Sequence, residues 1–548
     1  MARRALLKRM NAGPATTVLP ALHPTLAARL FPNSDHSSPE QPPRRVWSLP
    51  ENCVPQLQGS GTTAASRPPP QGFVAVTNPL TSTSAGPADD RAVLLVDPTL
   101  SPPIRVVGYG MSAVDEAYVE GALREALTYR RQLAGEGRLE LDDARHTSAF
   151  RLVHELGDGL TALAIDVYGR HARPFFFRLN ASFYSLFFPY ADVQTYSVHW
   201  DRFLPFIRDK LWSPECLPFL RGITVRRRFR KKRPTARFYY NPAFFNDDEQ
   251  ATLSPHDVGA AAGDADDLDE EDDVEGFDDE ELDGGGDDRE RAQQQLRAGD
   301  RSAEFRDVVV EEDGLKYHVD LRTSALSSGL FLDQRENRKW MLENVFTRPK
   351  MSLLNLFAHT GAWSVSAAAK ALTTSVDHSA MCLDVAMANF RLNGIPLAFS
   401  ADKRADKKGW QGGRKRGEGH EFVARDAFQE LIALRAKSRK FDVVLLDPPA
   451  LARTSALSGS VWSAKSDYGR LVKLAAPVVA PSGYIVAFNN TRSRSEEAWV
   501  REIMEKGLKD ESGRWRRVTA LGQAADFRWR AGDERVGKYL KGLVLQKV

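Results

Sequence analysis

The chain has 548 residues, 42% of them hydrophobic, and a formal net charge of +3 from 75 Lys and Arg against 72 Asp and Glu. That length calls for two to four domains with real apolar cores. Cys53, Cys216 and Cys382 lie far apart with no CxxC spacing, which argues against a disulfide framework and a cysteine zinc site. No apolar run approaches the ~18 residues of a membrane span, so a soluble protein with no metal centre is expected.

The small net charge hides a segregation. Between Asp264 and Glu290, 17 of 27 residues are acidic and only Arg289 is basic, so this block carries −16 and the rest of the chain +19. A body that basic suggests a polyanionic partner, most simply nucleic acid, although it also serves plain solubility.

In chain order, residues 1–34 carry Arg3, Arg4, Lys8, Arg9 and Arg29 and no acidic residue. With no long apolar core behind the positive start, this is transit-peptide composition, not that of a secretory signal. Residues 1–43 are therefore read as a targeting segment or a disordered basic terminus, with mitochondrion slightly ahead of chloroplast. Residues 44–112 hold three β-like runs, FVAVTN, AVLLVD and IRVVGYG, among Pro, Gly and Ser clusters, a small β-rich module.

Residues 113–325 read as a central α/β (α+β) domain. Val114–Gly135 has helical periodicity, with Gly135 where a C-cap would stand. Two strands flank the turn Gly157-Asp158-Gly159, and HWDRFLPFIRDKLW is amphipathic. From Arg221 to Arg237, nine of seventeen residues are Arg or Lys, with aromatics at Phe229, Phe238, Tyr239 and Tyr240. Guanidinium groups pair with phosphate and aromatic faces stack on bases, so Arg226, Arg227, Arg228, Arg230, Lys231, Lys232 and Arg233 are candidate RNA contacts. The alternative is an edge strand whose charges discourage sheet-to-sheet pairing. Residues 251–304, with the acidic block inside, lack the apolar surface to offset ordering entropy and are read as a disordered insertion. RDVVVEEDGLKYHVDL then alternates like a hairpin around Asp313-Gly314.

Residues 326–548 have the rhythm of a doubly wound α/β domain whose ligand lies at the carboxyl ends of the strands. LLNLFAHTGAWSV is a first strand, turn and helix, in which Asn355 and Phe357 end the strand and Thr360 and Gly361 make the turn. The dinucleotide G-x-G-x-x-G pattern is absent. Asp377 ends a second strand about 20 positions after that turn, where a carboxylate accepts from ribose hydroxyls, or else caps the next helix with Ser379. Asp426 follows a third strand and is a candidate acceptor for the adenine amine. The most specific signal is FDVVLLDPPA: an apolar strand, then Asp447, Pro448 and Pro449. The prolines stiffen the backbone and remove two N–H donors, so the carboxylate and unpaired carbonyls can hold a nitrogen beside a methyl donor.

From GLFLDQR through DPPA to FNNTR, the chain resembles the class I methyltransferase (Rossmann-like) domain of bacterial large-subunit ribosomal RNA methyltransferases of the I and K/L types. FRLVHELGDGLTALAIDVYG resembles the small α/β module that precedes that domain in the I type. The resemblance spans about residues 149–240 and 305–548, and it makes the early β-rich segment a diverged PUA-like module. It implies S-adenosylmethionine as cofactor and RNA as partner, and it adds Asp333, Gln334 and Arg335 as an opening motif beside the cofactor. His359 departs from the family pattern and receives no role.

The resemblance also separates two chemistries. Methylating carbon 5 of cytosine uses a cysteine that attacks carbon 6. The I type carries it after the fifth strand in a Phe-Ser-Cys-Ser context, whereas this chain reads Ala487-Phe488-Asn489-Asn490-Thr491-Arg492. That pattern resembles the K type, which modifies guanine nitrogen 7, an atom with a lone pair already in place. Asn489 and Asn490 would position the base and Arg492 a phosphate. The expectation is an organellar large-subunit rRNA base-nitrogen methyltransferase of open oligomeric state. The alternatives are a protein methyltransferase, a non-catalytic RNA-binding assembly factor and a cytosine carbon-5 enzyme.

Overall fold

The computed structural model describes residues 17–18, 30, 48–49, 71–77, 91–100, 103–139, 148–169, 189–228, 236–241, 243, 305, 308–321, 327–397, 419–453, 461–464, 466–509 and 514–548. The acidic segment and Arg230, Lys231, Lys232 and Arg233 lie outside these residues, as do residues 1–43 apart from Thr17, Val18 and Leu30, which join the first sheet and its core.

The three expected β-like runs form strands. β1 (Thr17–Val18), β2 (Ser48–Leu49), β3 (Gly72–Thr77), β4 (Arg91–Val96) and β5 (Ile104–Tyr109) make a mixed sheet in the order β1-β3-β4-β5-β2. Its PUA-like character stays an expectation. Helix α1 (Glu116–Gly135) starts where the Asp115 carboxylate accepts from the Tyr118 N–H. It ends at Gly135, the end of the expected helical stretch, while the left-handed glycine beyond it is Gly137 (φ 70°) and not Gly135. The apolar stripe Val119, Leu123, Ala126, Leu127 and Leu133 packs between this sheet and the next in one continuous core.

The second sheet has the order β10-β9-β8-β7-β6, built from β6 (Ala149–His154), β7 (Leu163–Tyr168), β8 (Tyr190–Thr195), β9 (Gly222–Arg227) and β10 (Ala236–Tyr240). The turn between β6 and β7 is a 3₁₀ turn over Glu155–Asp158 closed by Gly159 at φ 82°, and helix α2 (Leu204–Leu211) follows β8. A hairpin of β11 (Val308–Glu312) and β12 (Leu315–Val319) turns at Asp313 and Gly314, both at positive φ. It ties the second sheet to the last domain: the Ser148 N–H donates to the Glu311 carbonyl (2.6 Å) and the His318 N–H to Asn389 Oδ1 (2.8 Å).

The last domain is a seven-stranded sheet in the order β15-β14-β13-β16-β19-β21-β20. The strands are β13 (Met351–Leu356), β14 (Ala371–Asp377), β15 (Glu421–Ala424), β16 (Phe441–Leu446), β19 (Val479–Asn489), β20 (Trp515–Leu521) and β21 (Lys541–Lys547), with a short β17 (Leu451–Arg453) and β18 (Val461–Ser463) hairpin beyond β16. The first five are parallel and β21 runs antiparallel to both neighbours. Parallel strands buried on both faces need near-continuous apolar runs, as in Phe441–Leu446. The chain winds outward through β14 and β15, then returns past β13 to β16, so strand order reverses between β13 and β16. Loops part at such a switch point and leave a crevice at the strand tips. Helices α3 (Arg335–Asn344), α4 (Ala362–Ala367), α5 (Ala380–Leu392), α6 (Ala427–Ala436), α7 (Tyr468–Ala475), α8 (Glu496–Glu502) and α9 (Glu534–Gly537) complete the domain. No helix among the described residues is long and apolar enough to cross a membrane.

Candidate active site

The turn after β13 is strained: Phe357 (φ 62°) and His359 (φ 50°) are left-handed without being glycine, and Gly361 (φ 76°) follows. Such residues cost about 1–3 kcal/mol each and persist only where neighbours over-determine them. Here the Ala358 N–H donates to the Val376 carbonyl (2.9 Å), the His359 N–H to Asp377 Oδ2 (2.7 Å) and Asn389 Nδ2 to the Thr360 carbonyl (2.9 Å). The Thr360 hydroxyl donates to the Gly329 carbonyl. Burial holds the His359 imidazole below its ordinary pKa and hence neutral.

A cleft of about 310 Å³ opens at this switch point. On one side it is lined by Phe357, Thr360, Asp377, Asp426 and Phe428, and on the other by Phe331, Asp333, Gln334, Asp447, Pro448, Pro449 and Asn490. Asp377 does not cap α5, whose N-cap is Ser379: its oxygens accept from the His359 N–H (2.7 Å) and the Ser379 N–H (2.9 Å), one each, so every oxygen keeps a second lone pair. Asp426 spends only Oδ1 on its helix, accepting from the N–H groups of Phe428 (2.9 Å) and Gln429 (3.1 Å).

Asp447 is held from two directions. Gln334 Nε2 donates to its Oδ2 (3.1 Å) and Trp363 Nε1 reaches the same oxygen (3.4 Å). Burial and then the neighbouring Asp333 carboxylate push the Asp447 carboxyl up to about 7, against the opposing pull of those two hydrogen bonds. Asp333 is also raised, by burial, and accepts from the Tyr539 hydroxyl (2.6 Å). The Tyr468 hydroxyl shares its one proton between the carbonyls of Leu446 (3.1 Å) and Phe488 (2.8 Å), which ties the tips of β16 and β19 together just before Asp447 and Asn489.

Phe331, Asp333 and Asn490 also line a second cleft, of about 440 Å³, between the central sheet and the last domain. Its walls include Arg151, His154, Glu155, Asp166, Gln194, Tyr196, Arg228, Arg492 and Tyr539.

Several expected positions lie elsewhere. Asn355 is buried and donates to Ser364 Oγ (2.9 Å), behind the turn. Arg335 is buried on Asp526 (2.6 Å), so of the opening motif only Asp333 and Gln334 reach the cleft. Ser379 caps α5, with its hydroxyl accepting from the Cys382 N–H (3.2 Å). Gly361 is required by its φ and by α5, since a Cβ there would lie 2.7 Å from Ala386 Cβ, and it does not line the cleft. Asn489 is buried, donating to the Ala464 carbonyl (3.3 Å) and accepting from the Thr491 N–H (2.7 Å), which leaves Asn490 at the cleft. The carbonyl of Pro449 is not open, because Trp462 Nε1 donates to it (3.1 Å).

Of the described arginines, one is corrected and the others are placed among partners. Arg226 is 1% exposed, pairs with Asp192 (2.9 Å) and donates to the Leu321 carbonyl (3.2 Å), so it cannot meet RNA. Arg227 pairs with Asp201 (3.0 Å). Arg492 pairs with Glu155 (2.7 Å) and lines the second cleft. Arg228 lines the second cleft, its Nε donating to Gln194 Oε1 (2.9 Å). Sequence reasoning missed Phe331, Trp363, Trp462 and Tyr539. For Phe331 the available signal was an aromatic two positions before Asp333.

Residues 296–506 match the S-adenosylmethionine-dependent methyltransferase family. The chain is 32% identical over 213 residues to ribosomal RNA large subunit methyltransferase K of Neisseria meningitidis serogroup B, covering 37% of this chain and 53% of that protein. It is 30% identical over 243 residues to ribosomal RNA large subunit methyltransferase I of Aeromonas salmonicida, covering 44% and 54%. The chain thus spans about half the length of the curated relatives it matches. The crystal structure of SMU.776, a protein assigned as a methyltransferase and complexed with SAH, superposes with a TM-score of 0.60 at 19% identity, covering 91% of this chain and 95% of that one. At that identity the likeness speaks for the fold.

Proposed function

On the premise that residues 296–506 belong to the S-adenosylmethionine-dependent methyltransferase family, we propose that this chain methylates a base nitrogen of large-subunit ribosomal RNA. The observation that carries the reading is the meeting of Asp447-Pro448-Pro449 with Asn490 in the first cleft, Asn490 also lining the second. A donor in one cleft and a base in the other would share that wall.

The residues present fit the cofactor. Asp377 retains lone pairs for the ribose hydroxyls, and Asp426 Oδ2 accepts no hydrogen bond among the described residues, which suits the adenine amine. Phe357 and Phe428 give the adenine apolar walls. Asp333 and Asp447 stand as acceptors where a cation would be stabilised. Bound there, S-adenosylmethionine supplies an electrophilic methyl on a positively charged sulfur. The protein's task is then orientation, worth several orders of magnitude when the reacting atoms are aligned. Asp447, fixed by Gln334 and Trp363, holds an N–H of the base, and Asn490 its edge.

Guanine nitrogen 7 is the first reading, since it needs alignment and no nucleophile. Among the described residues no cysteine lines either cleft, which weighs against the cytosine carbon-5 route. One observation favours a second reading, an exocyclic amine: the Asp447 carboxyl, pushed up to about 7, suits a proton acceptor at neutral pH. The acid-free basic stretch of residues 1–34 supports an organellar address, mitochondrial before plastid. A fluorescent fusion of the full chain that stays in the cytosol would remove that part.

The test pairs calorimetry with S-adenosylhomocysteine and tritium transfer from labelled S-adenosylmethionine into in vitro transcribed large-subunit rRNA, followed by nucleoside mass spectrometry. Saturable binding and a 7-methylguanosine product are expected. An N-methylated exocyclic amine selects the second reading. Label that goes into protein in RNase-treated extract overturns both.

A further inference from the structure

The two clefts meet at Phe331, Asp333 and Asn490, and Phe331 is the anomaly among the three. Its side chain is 46% exposed, while its neighbours Leu330 and Leu332 are buried. The exposure is not slack in the chain. Its carbonyl accepts from Arg338 Nη2 (2.9 Å) and from the Gln334 N–H (3.3 Å), so the backbone is held at that carbonyl. His359, which lines the first cleft only, meets the ring at 5.3 Å, and the ring also lines the second cleft. An aromatic ring left this exposed on a held backbone, at the junction of two clefts, is poor solvent design unless something planar covers it.

The second cleft says what kind of ligand that is. Its charges are largely spent on one another: Asp166 holds Arg151 at 2.6 and 2.9 Å, and Glu155 holds Arg492 at 2.7 Å. A phosphate seated there would have to break an ion pair. A neutral heteroaromatic ring with polar edges would not, and about 440 Å³ lies within the range of small-ligand sites. Arg228, held by the neutral amide of Gln194, is the guanidinium placed to meet the backbone of such a ligand.

We propose that Phe331 is the stacking platform for the nucleobase that receives the methyl group, with the base lying in the second cleft against the Phe331 ring and its edge at Asp447 and Asn490. The proposal rests on the reading of the chain as an RNA base methyltransferase. Aromatic stacking is indifferent to base identity, so Phe331 positions and does not select.

The test uses the full chain, calorimetry with S-adenosylhomocysteine, and steady-state tritium transfer to in vitro transcribed large-subunit rRNA. Phe331→Ala is expected to lower kcat/KM for RNA by roughly 10- to 100-fold, the scale of one lost base–aromatic stack, with cofactor Kd within about twofold of wild type. Phe331→Trp should restore most of the loss and Phe331→Leu little, because a flat face is needed and not mere bulk. Leu performing as well as Phe, or cofactor Kd rising as steeply as kcat/KM falls, overturns the proposal; the latter outcome makes Phe331 a cofactor wall. Full RNA methylation by Phe331→Ala sinks the platform alone. A wild type that binds cofactor and labels no RNA sinks the RNA reading with it.

Discussion

Asp447 is the residue on which the proposed chemistry turns, and its environment gives it a measurable signature. Its carboxyl sits at about 7 against an ordinary 3.8, chiefly through burial. The folded protein therefore keeps a proton that the unfolded chain releases. Stability from this group is complete below about pH 4 and is lost as pH rises through 7. Asp447→Asn does not titrate, so its melting temperature should gain on wild type between pH 5 and pH 8. The gain should be roughly 1–2 kcal/mol, below the full linkage value because the carboxyl is partly exposed. Parallel melting curves of the two proteins across that range would contradict the assignment. Under the proposed function, methyl transfer by the variant should fall by about 100-fold or more, since the carboxylate orients the base against the methyl group. At this scale the sequence was legible where a motif tied a residue to a strand tip, as with Asp377, Asp426 and Asp447. It was opaque where side chains alternate: Asn489 and Asn490 are adjacent, and only Asn490 points to the cleft.

At the scale of elements, the turn between β13 and α4 couples the cofactor wall to helix packing. Gly361 is at φ 76°, and any Cβ there would meet Ala386 Cβ at 2.7 Å and Ala386 Cα at 3.3 Å. Gly361→Ala must therefore strain the backbone and push α5 away. A loss of about 2–4 kcal/mol is expected from the left-handed penalty and overpacking together, readable by urea denaturation. Unchanged stability would mean that α5 moves freely, against the hydrogen bond from Asn389 to the Thr360 carbonyl. The expectation that this glycine lets a ligand approach came from its place in the turn. The neighbour it actually accommodates, Ala386, is 25 residues away and shares no sequence signal with it.

Across the whole molecule, one buried carboxylate joins the parts. Asp526 is fully buried. It takes Arg335 of α3 (2.6 Å) and the Arg151 N–H of β6 (2.7 Å), while its carbonyl accepts from Arg130 of α1 (2.5 Å). Arg130 in turn pairs with Asp158 at 0% exposure for both side chains. Removing one partner from such a network strands the rest in low dielectric, at about 3–5 kcal/mol. Asp526→Ala should lower stability by that amount and, because the network spans the central and last domains, separate one thermal transition into two. A loss under 1 kcal/mol with a single transition would show that the domains are held by apolar contacts alone. The basic character of the chain is partly absorbed here. Arg130, Arg151, Arg226, Arg335, Arg338 and Arg492 serve internal pairs, so net charge overstates what is left for a polyanion.

The sequence by itself determined the parallel strands of the last domain, from Met351 to Asn489, and the hairpin at Asp313-Gly314. Apolar periodicity and turn residues are local, and a run such as FDVVLLDPPA has few other ways to bury itself. It also determined which strand ends carry carboxylates. Only the tertiary structure decided which arginines were spent on buried partners, that Asn355 and Asn489 face inward, and that Phe331 stands uncovered between two clefts. Those outcomes depend on residues tens to hundreds of positions apart, and the burial and pairing energies that fix them exist only once the chain has folded.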